Sequence, residues 1–280
     1  MCGIALIIGK NAKDKSEEMV QMINSISYRG EVTESYIEND LLVYARRLKI
    51  VDREKAIQPV FNLDKSKCIV FNGEIFNHHL LRNELSNVYS FQTQSDTEVV
   101  LAAYEKWGSN CLSHFRGQYA FAIVDIKQHT VIMARDEIGI VPLYYAKYKD
   151  LIYIASEIKA LIFLKITINT VPPGSFIDKN QMVHTIFAPL HSIKYTDSDL
   201  FIKQLRTTIC ESVKEQVDVD MPIGVIYSGG LDSSIVLSEA LKYHSNVTAY
   251  TIGTENSEDL RISIQFCKEK KIKHVVIKLD

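Results

Sequence analysis

The sequence predicts two architectures in one chain: an α+β domain of packed antiparallel sheets over residues 1–190, then part of an α/β domain with a parallel sheet over residues 191–280. Three observations carry this. Short apolar runs separated by turns dominate up to about residue 190. Helical periodicity appears there in only a few places. Beyond it, strands and helices alternate in the order βαβαβ.

The runs "GIALII" (3–8), "LLVYA" (41–45), "CIVFN" (68–72), "QYAFAIVD" (118–125), "TVIMAR" (130–135) and "LIYIAS" (151–156) read as strands. Short polar links such as Ile126-Lys127-Gln128-His129 suggest hairpins. Helices are expected over Ser16 to Ile26, with Met19, Met22, Ile23 and Ile26 on one face, and over Thr97 to Trp107. After "VPPGS" (171–175) and the polar stretch "HSIKYTDSD" (191–199), Thr196 and Asp199 have the spacing of a capping box for a helix through Leu200, Leu205, Ile209 and Val213. Then follow a strand at "PIGVIY" (222–227), a helix at "SSIVLSEALKYH" (233–244), a strand at "VTAYTIG" (247–253), a helix over about 257–271 and a strand at "HVVIKL" (274–279). Three parallel strands are half of a doubly wound unit.

A net charge of −2 gives no electrostatic case for a nucleic-acid or membrane partner. Five cysteines (Cys2, Cys68, Cys111, Cys210, Cys267), an odd number without a CxxC pair, argue against a disulfide framework or a zinc site. They fit a reducing compartment. The apolar start lacks a preceding basic region and ends at Lys10, unlike a signal peptide. The expectation is a cytoplasmic protein.

"YSGGLDSS" (227–234) falls between the strand and the helix of the first βα unit. Gly229 and Gly230 let a ligand approach the main chain. Ser228, Ser233 and Ser234 add hydroxyls beside amides at a helix N-terminus, which favours an anion. Asp232 would repel a bare phosphate but could reach it through Mg²⁺. The GxxxxGK[ST] lysine is missing, and SGGxDS after a strand resembles the pyrophosphate loop of the ATP-pyrophosphatase superfamily instead.

"MCGI" (1–4), "RRLKIVD" (46–52), "QPV" (58–60), "FNGEIFNH" (71–78), "QSDTEVVLAAYEKWG" (94–108), "RGQYAFAIVD" (116–125), "RDEIGIVPLYY" (135–145) and "ASEIKAL" (155–161) together resemble the glutamine-dependent asparagine synthetases. The resemblance spans the whole chain in the family's order. It implies a class II glutamine amidotransferase domain (1–190) with an Ntn-hydrolase-like αββα sandwich, followed by the N-terminal part of the synthetase domain (191–280). In such proteins Cys2, freed by removal of Met1, is the nucleophile. Its own α-amino group, of pKa about 7.7–8.0, is the base, so the neighbouring His78 and His79 are read as surface groups at a helix start. Asn72 and Gly73 match the oxyanion hole. Arg47, Ile50, Val51, Asn72, Gly73, Glu74 and Asp96 match the glutamine site, where a guanidinium suits a carboxylate and carboxylates suit an ammonium. Ser228, Gly229, Gly230, Leu231, Asp232, Ser233 and Ile252 match the ATP site, with Asp232 toward Mg²⁺.

The implied reaction is glutamine-hydrolysing asparagine synthesis from aspartate, with ATP and Mg²⁺; a homodimer is left open. The resemblance has two departures. Arg29-Gly30-Glu31-Val32 stands where the family has RGPD, which alters the rigidity and charge of a loop near the glutamine site. The family also continues beyond the position of Asp280 with a helical portion carrying most of the aspartate site, so the synthetase half is expected to be truncated. The alternatives are a glutaminase or binding partner without synthesis, and an amide ligase with a different acceptor. "SGGLDSS" argues against a sugar-isomerase or phosphoribosyl partner domain.

Overall fold

The computed structural model describes residues 2–187 and 197–279. The chain divides into two compact units, Met1–Leu190 and His191–Asp280. None of the described helices is long and apolar enough to cross a membrane.

Unit 1 contains strands β1 (Gly3–Ile8), β2 (Val32–Glu38), β3 (Leu41–Arg47), β4 (Val60–Phe61), β5 (Lys67–Ile75), β6 (Gly117–Asp125), β7 (Thr130–Arg135), β8 (Tyr144–Tyr148), β9 (Leu151–Ala155), β10 (Ile168–Thr170), β11 (Ser175–Ile177) and β12 (Val183–Thr185). Its helices are α1 (Ser16–Ser25), α2 (His78–Leu85) and α3 (Asp96–Trp107). Among the described residues they form two six-stranded sheets, ordered β10-β8-β9-β1-β3-β2 and β12-β11-β7-β6-β5-β4. Their strand pairings are antiparallel.

Alternation along the strands produces the layering. Ile4, Leu6 and Val43 of the first sheet meet Val70, Ala122, Val124 and Met133 of the second in a core between the sheets. Ala5, Ile7 and Leu42 face the other way, onto Met19, Met22 and Ile23 of α1. On the far side of the second sheet, Ile69, Phe71 and Phe121 pack on Leu81, Val99 and Val100 of α2 and α3. The result is the four-layer α-β-β-α sandwich.

Strand β2 is absent from the sequence reading, and it overlaps the segment 29–32, read there as a loop, only at Val32. The strand pairs along β3, from Val32 opposite Arg47 to Glu38 opposite Leu41. It eludes an apolar pattern because its inward row is Val32, Glu34 and Tyr36, with a carboxylate in the middle. A correction concerns His78. It does start α2, but it is buried, with Nδ1 2.9 Å from the Ile75 carbonyl, while His79 is exposed.

Unit 2 runs α4 (Ser198–Gln216), β13 (Ile223–Ile226), α5 (Leu231–Tyr243), β14 (Val247–Thr254), α6 (Glu258–Glu269) and β15 (Lys273–Leu279). The three strands pair in parallel in the order β13-β14-β15, over a core that includes Val213, Val225, Leu237, Ala249 and Cys267. Thr196, the expected capping residue of α4, lies outside the described residues. The cap of that helix is Asp197, whose carboxylate accepts from the amides of Asp199 at 2.9 Å and Leu200 at 3.1 Å. Ile226, Ile252, Ile277 and Leu279 are exposed.

Candidate active site

Cys2, Arg47, Ile50, Val51, Gly73, Glu74 and Asp96, far apart in sequence, line one cavity of about 100 Å³ in unit 1. Asn72 is not part of the lining, but Phe71 and Gly73 on either side of it are. Leu48, Ala56, Gln58, Ser95, Thr97 and Gln118 complete the wall. The described lining residues include no histidine, so a base for the thiol must come from elsewhere.

The first strand delivers Cys2. β1 pairs with β3 from Gly3 opposite Arg46, which brings the sulfur beside the end of β3. There Sγ accepts from the Leu48 amide at 3.4 Å, and the Cys2 carbonyl accepts from Arg29 Nε at 2.9 Å. Burial pushes the Cys2 thiol up from its ordinary pKa; the Leu48 amide and the chain's amino terminus pull the other way.

Asn72 and Gly73 lie within β5, paired opposite Ala120 and Tyr119, and not in a turn after it. Gly73 has φ 147°, and a Cβ there would stand 2.1 Å from the Gln118 carbonyl oxygen. Only glycine fits this approach. Asn72 is fully buried, yet neither Oδ1 nor Nδ2 has a hydrogen-bond partner. Such an amide costs folding energy, and a buried donor without a partner is a group held ready for a ligand.

Asp96 opens α3, next to the cap Ser95, whose hydroxyl accepts from the Thr97 amide at 3.0 Å. Its carboxylate accepts from the amides of Thr97 at 2.8 Å and Ile75 at 3.1 Å. Burial outweighs these bonds and raises the Asp96 carboxyl to about 6. Glu74 rises to about 7, chiefly by burial and then by the adjacent Asp96. A neighbouring cation would favour the charged form of both carboxyls.

Arg47 is nearly enclosed. Its Nε donates to Glu34 Oε1 at 2.8 Å and its Nη1 to the Arg53 carbonyl at 3.0 Å. Glu34 and Gln58 were not picked out from the sequence. The place of Glu34 beside Arg47 follows from the register of β2 on β3, which local spacing does not reveal, and Gln58 reaches the pair through Glu34.

In unit 2, Ser228, Gly229 and Gly230 lie in the connection from β13 to α5, Leu231, Asp232 and Ser233 form the first turn of α5, and Ile252 lies toward the carboxyl end of β14. Gly229 has φ 86°, and a Cβ there would approach the Asp259 carbonyl oxygen to 2.8 Å. The Ser228 and Ser233 hydroxyls are 3.0 Å apart, and Ser233 and Ser234 both donate to the Gly230 carbonyl. This tight turn leaves the loop glycines free of side chains at the start of a thirteen-residue helix, a cradle that fits a phosphate. Asp232 sits in the first turn of α5. No group of three or more His, Cys, Asp or Glu among the described residues is arranged to hold a metal.

The glutamine amidotransferase domain family matches residues 1–207, and the asparagine synthase family matches residues 204–280. The glutamine-hydrolyzing asparagine synthetase 1 of Bacillus subtilis is 33% identical over 291 residues, covering 91% of this chain and 46% of its own length. Asparagine synthetase B of Escherichia coli is 34% identical over 253 residues, covering 87% of this chain and 45% of its own. The chain thus spans about half the length of these curated relatives. Among solved structures, the glutamine phosphoribosylpyrophosphate amidotransferase of B. subtilis shares the fold at 17% identity and a TM-score of 0.55, covering 98% of this chain and 65% of that one. The chain belongs to the glutamine amidotransferase domain family, with an asparagine synthase segment following that domain.

Proposed function

We propose that unit 1 hydrolyses glutamine and that unit 2 carries nucleotide-binding residues of an ATP-dependent asparagine-forming ligase. The observation that carries this reading is the cavity joining the Cys2 thiol, the Gly73 backbone and paired acidic and basic side chains beside the unpartnered Asn72 amide.

Arg47 holds the glutamine α-carboxylate, and Glu74 and Asp96 hold its α-ammonium; Ile50 and Val51 pack beside the substrate. With Met1 removed, the α-amino group of Cys2 takes the thiol proton and the sulfur attacks the side-chain amide carbon. Asn72 Nδ2 and the Gly73 N–H stabilise the oxyanion. The protonated amine gives its proton to the departing nitrogen, ammonia leaves, and water then cleaves the thioester to glutamate, restoring the thiol.

In unit 2, Ser228, Gly229, Gly230, Leu231, Asp232, Ser233 and Ile252 would hold ATP, and Asp232 would hold Mg²⁺ against its phosphates. Bound there, ATP supplies the adenylyl group that activates the aspartate side-chain carboxylate for amidation.

The test supplies the purified chain with amide-labelled glutamine, aspartate, ATP and Mg²⁺, using Cys2→Ala as control. Labelled asparagine with AMP and pyrophosphate supports both halves. Glutamate and labelled ammonia alone support the glutaminase half and refute synthesis by this chain. An absence of glutamate overturns the proposal.

A further inference from the structure

The Arg47 pair continues into a chain of hydrogen bonds that crosses the sandwich. Glu34 Oε1 takes Arg47 Nε at 2.8 Å, and Glu34 Oε2 takes the Gln58 amide at 2.7 Å. The Gln58 side chain then grips both main-chain groups of Phe71. Its Oε1 accepts from the Phe71 amide at 2.8 Å, and its Nε2 donates to the Phe71 carbonyl at 3.0 Å. Arg47 and Glu34 belong to the first sheet and Phe71 to the second, and the residue after Phe71 is Asn72. Side chains of Arg47 and Glu34 are only 5% and 9% exposed, so the pair is held in low dielectric with every Glu34 oxygen engaged.

Sheet register explains why a carboxylate sits there. Val32 faces Arg47 across the ladder, and Glu34, two residues on, points to the same side. The segment Arg29-Gly30-Glu31-Val32 has no acid at its fourth position, and β2 presents one a single pleat later.

We propose that Glu34 is a positioning residue. With Gln58 it forms a strut that fixes the Arg47 guanidinium relative to Asn72 and Gly73, and so sets the required separation between a substrate's α-carboxylate and its reacting carbonyl. This rests on the reading of Arg47 as carboxylate holder. With the Nε–H of Arg47 committed to Glu34 and one Nη1–H to Arg53, its second Nη1–H and both Nη2–H remain to meet the substrate. The strut is thereby a ruler for side-chain length, favouring glutamine over a shorter amide such as asparagine.

The experiment measures the rate at which Cys2 of the full chain, with Met1 removed, is alkylated by two chloroketone probes. One is a glutamine analogue with its α-ammonium and α-carboxylate; the other lacks only the carboxylate. Mass spectrometry of the Cys2 peptide gives the ratio of the two rates, which cancels any loss of folded protein. Wild type is expected to favour the carboxylate probe by ~10–100-fold, the contribution of a charge-assisted hydrogen bond. Arg47→Ala is expected to erase that preference. Glu34→Ala is expected to reduce it at least ~5-fold with Arg47 still present, and Glu34→Gln, which keeps one acceptor, to fall between. If Arg47→Ala keeps the full preference, the carboxylate reading fails. If Arg47→Ala loses it while Glu34→Ala retains it, the strut proposal alone is overturned.

Discussion

Asp96 offers a prediction in which stability and recognition run in opposite directions. Its carboxyl titrates at about 6 in the folded protein against 3.8 unfolded, because burial disfavours the charge. A folded-state value above the unfolded one means that the folded protein binds the proton more tightly. That stability is fully present below the unfolded value and is lost as pH rises through the folded one. At ~1.4 kcal/mol per pKa unit, the whole loss is about 3 kcal/mol, reached from well below pH 3.8 to well above pH 6. Trp107, the chain's only tryptophan, ends the same helix that Asp96 begins, so its fluorescence reports unfolding of this unit alone. Urea titrations from pH 4.5 to 8 should show wild type losing about 2 kcal/mol more than Asp96→Asn, which cannot ionise. Parallel pH curves for the two proteins would refute the assignment. The same ionisation creates the anion that an ammonium ligand needs. The glutamine KM should therefore rise as pH falls below about 7, where Glu74 and then Asp96 take up protons.

Other perturbations test separate parts of the argument. Asn72→Ala should lower kcat by ~10²–10³-fold, the effect of removing one oxyanion donor, while its urea midpoint moves little because the lost amide had no partner. Gly73→Ala puts a methyl 2.1 Å from the Gln118 oxygen and should destabilise the β5–β6 pairing by at least about 2 kcal/mol, read by thermal unfolding. Asp197→Ala removes the cap of α4 and should cost about 1 kcal/mol, detected as faster amide exchange in its first turn. Gly229→Ala should weaken ATP binding, measured by calorimetry, without changing Cys2 alkylation.

Much of the fold was legible because its longer strands carry unbroken apolar runs. "TVIMAR" is β7 as read, and "GIALII" is β1. The strands that escaped are short, like β10, β11 and β12, or interrupted, like β2 with its inward carboxylate and β8 with "YYAKY". Helix α2 was seen only as a start, since the lone turn "HHLL" gives too little period to extend. At the candidate site, Cys2, Asn72, Gly73, Glu74 and Asp96 each occupy a recognisable stretch of sequence. Glu34 does not, and Gln58, though it opens the matched "QPV", is given no role by it, because what gives them meaning is a contact across paired strands and the main chain of Phe71. Pairwise geometry of that kind appears only when the sheets are assembled.

The burial of Cys2 also bears on what the chain can withstand. Thiolates, not thiols, attack peroxides and disulfides, so a thiol pKa pushed up by burial slows oxidation of that sulfur. The other four share that shelter: Cys68 and Cys111 are pushed up to about 12, and Cys210 and Cys267 are also raised. Burial thus restrains all five sulfurs alike, and in the proposed mechanism Cys2 alone gains an amine beside it to take up its proton, once Met1 is removed.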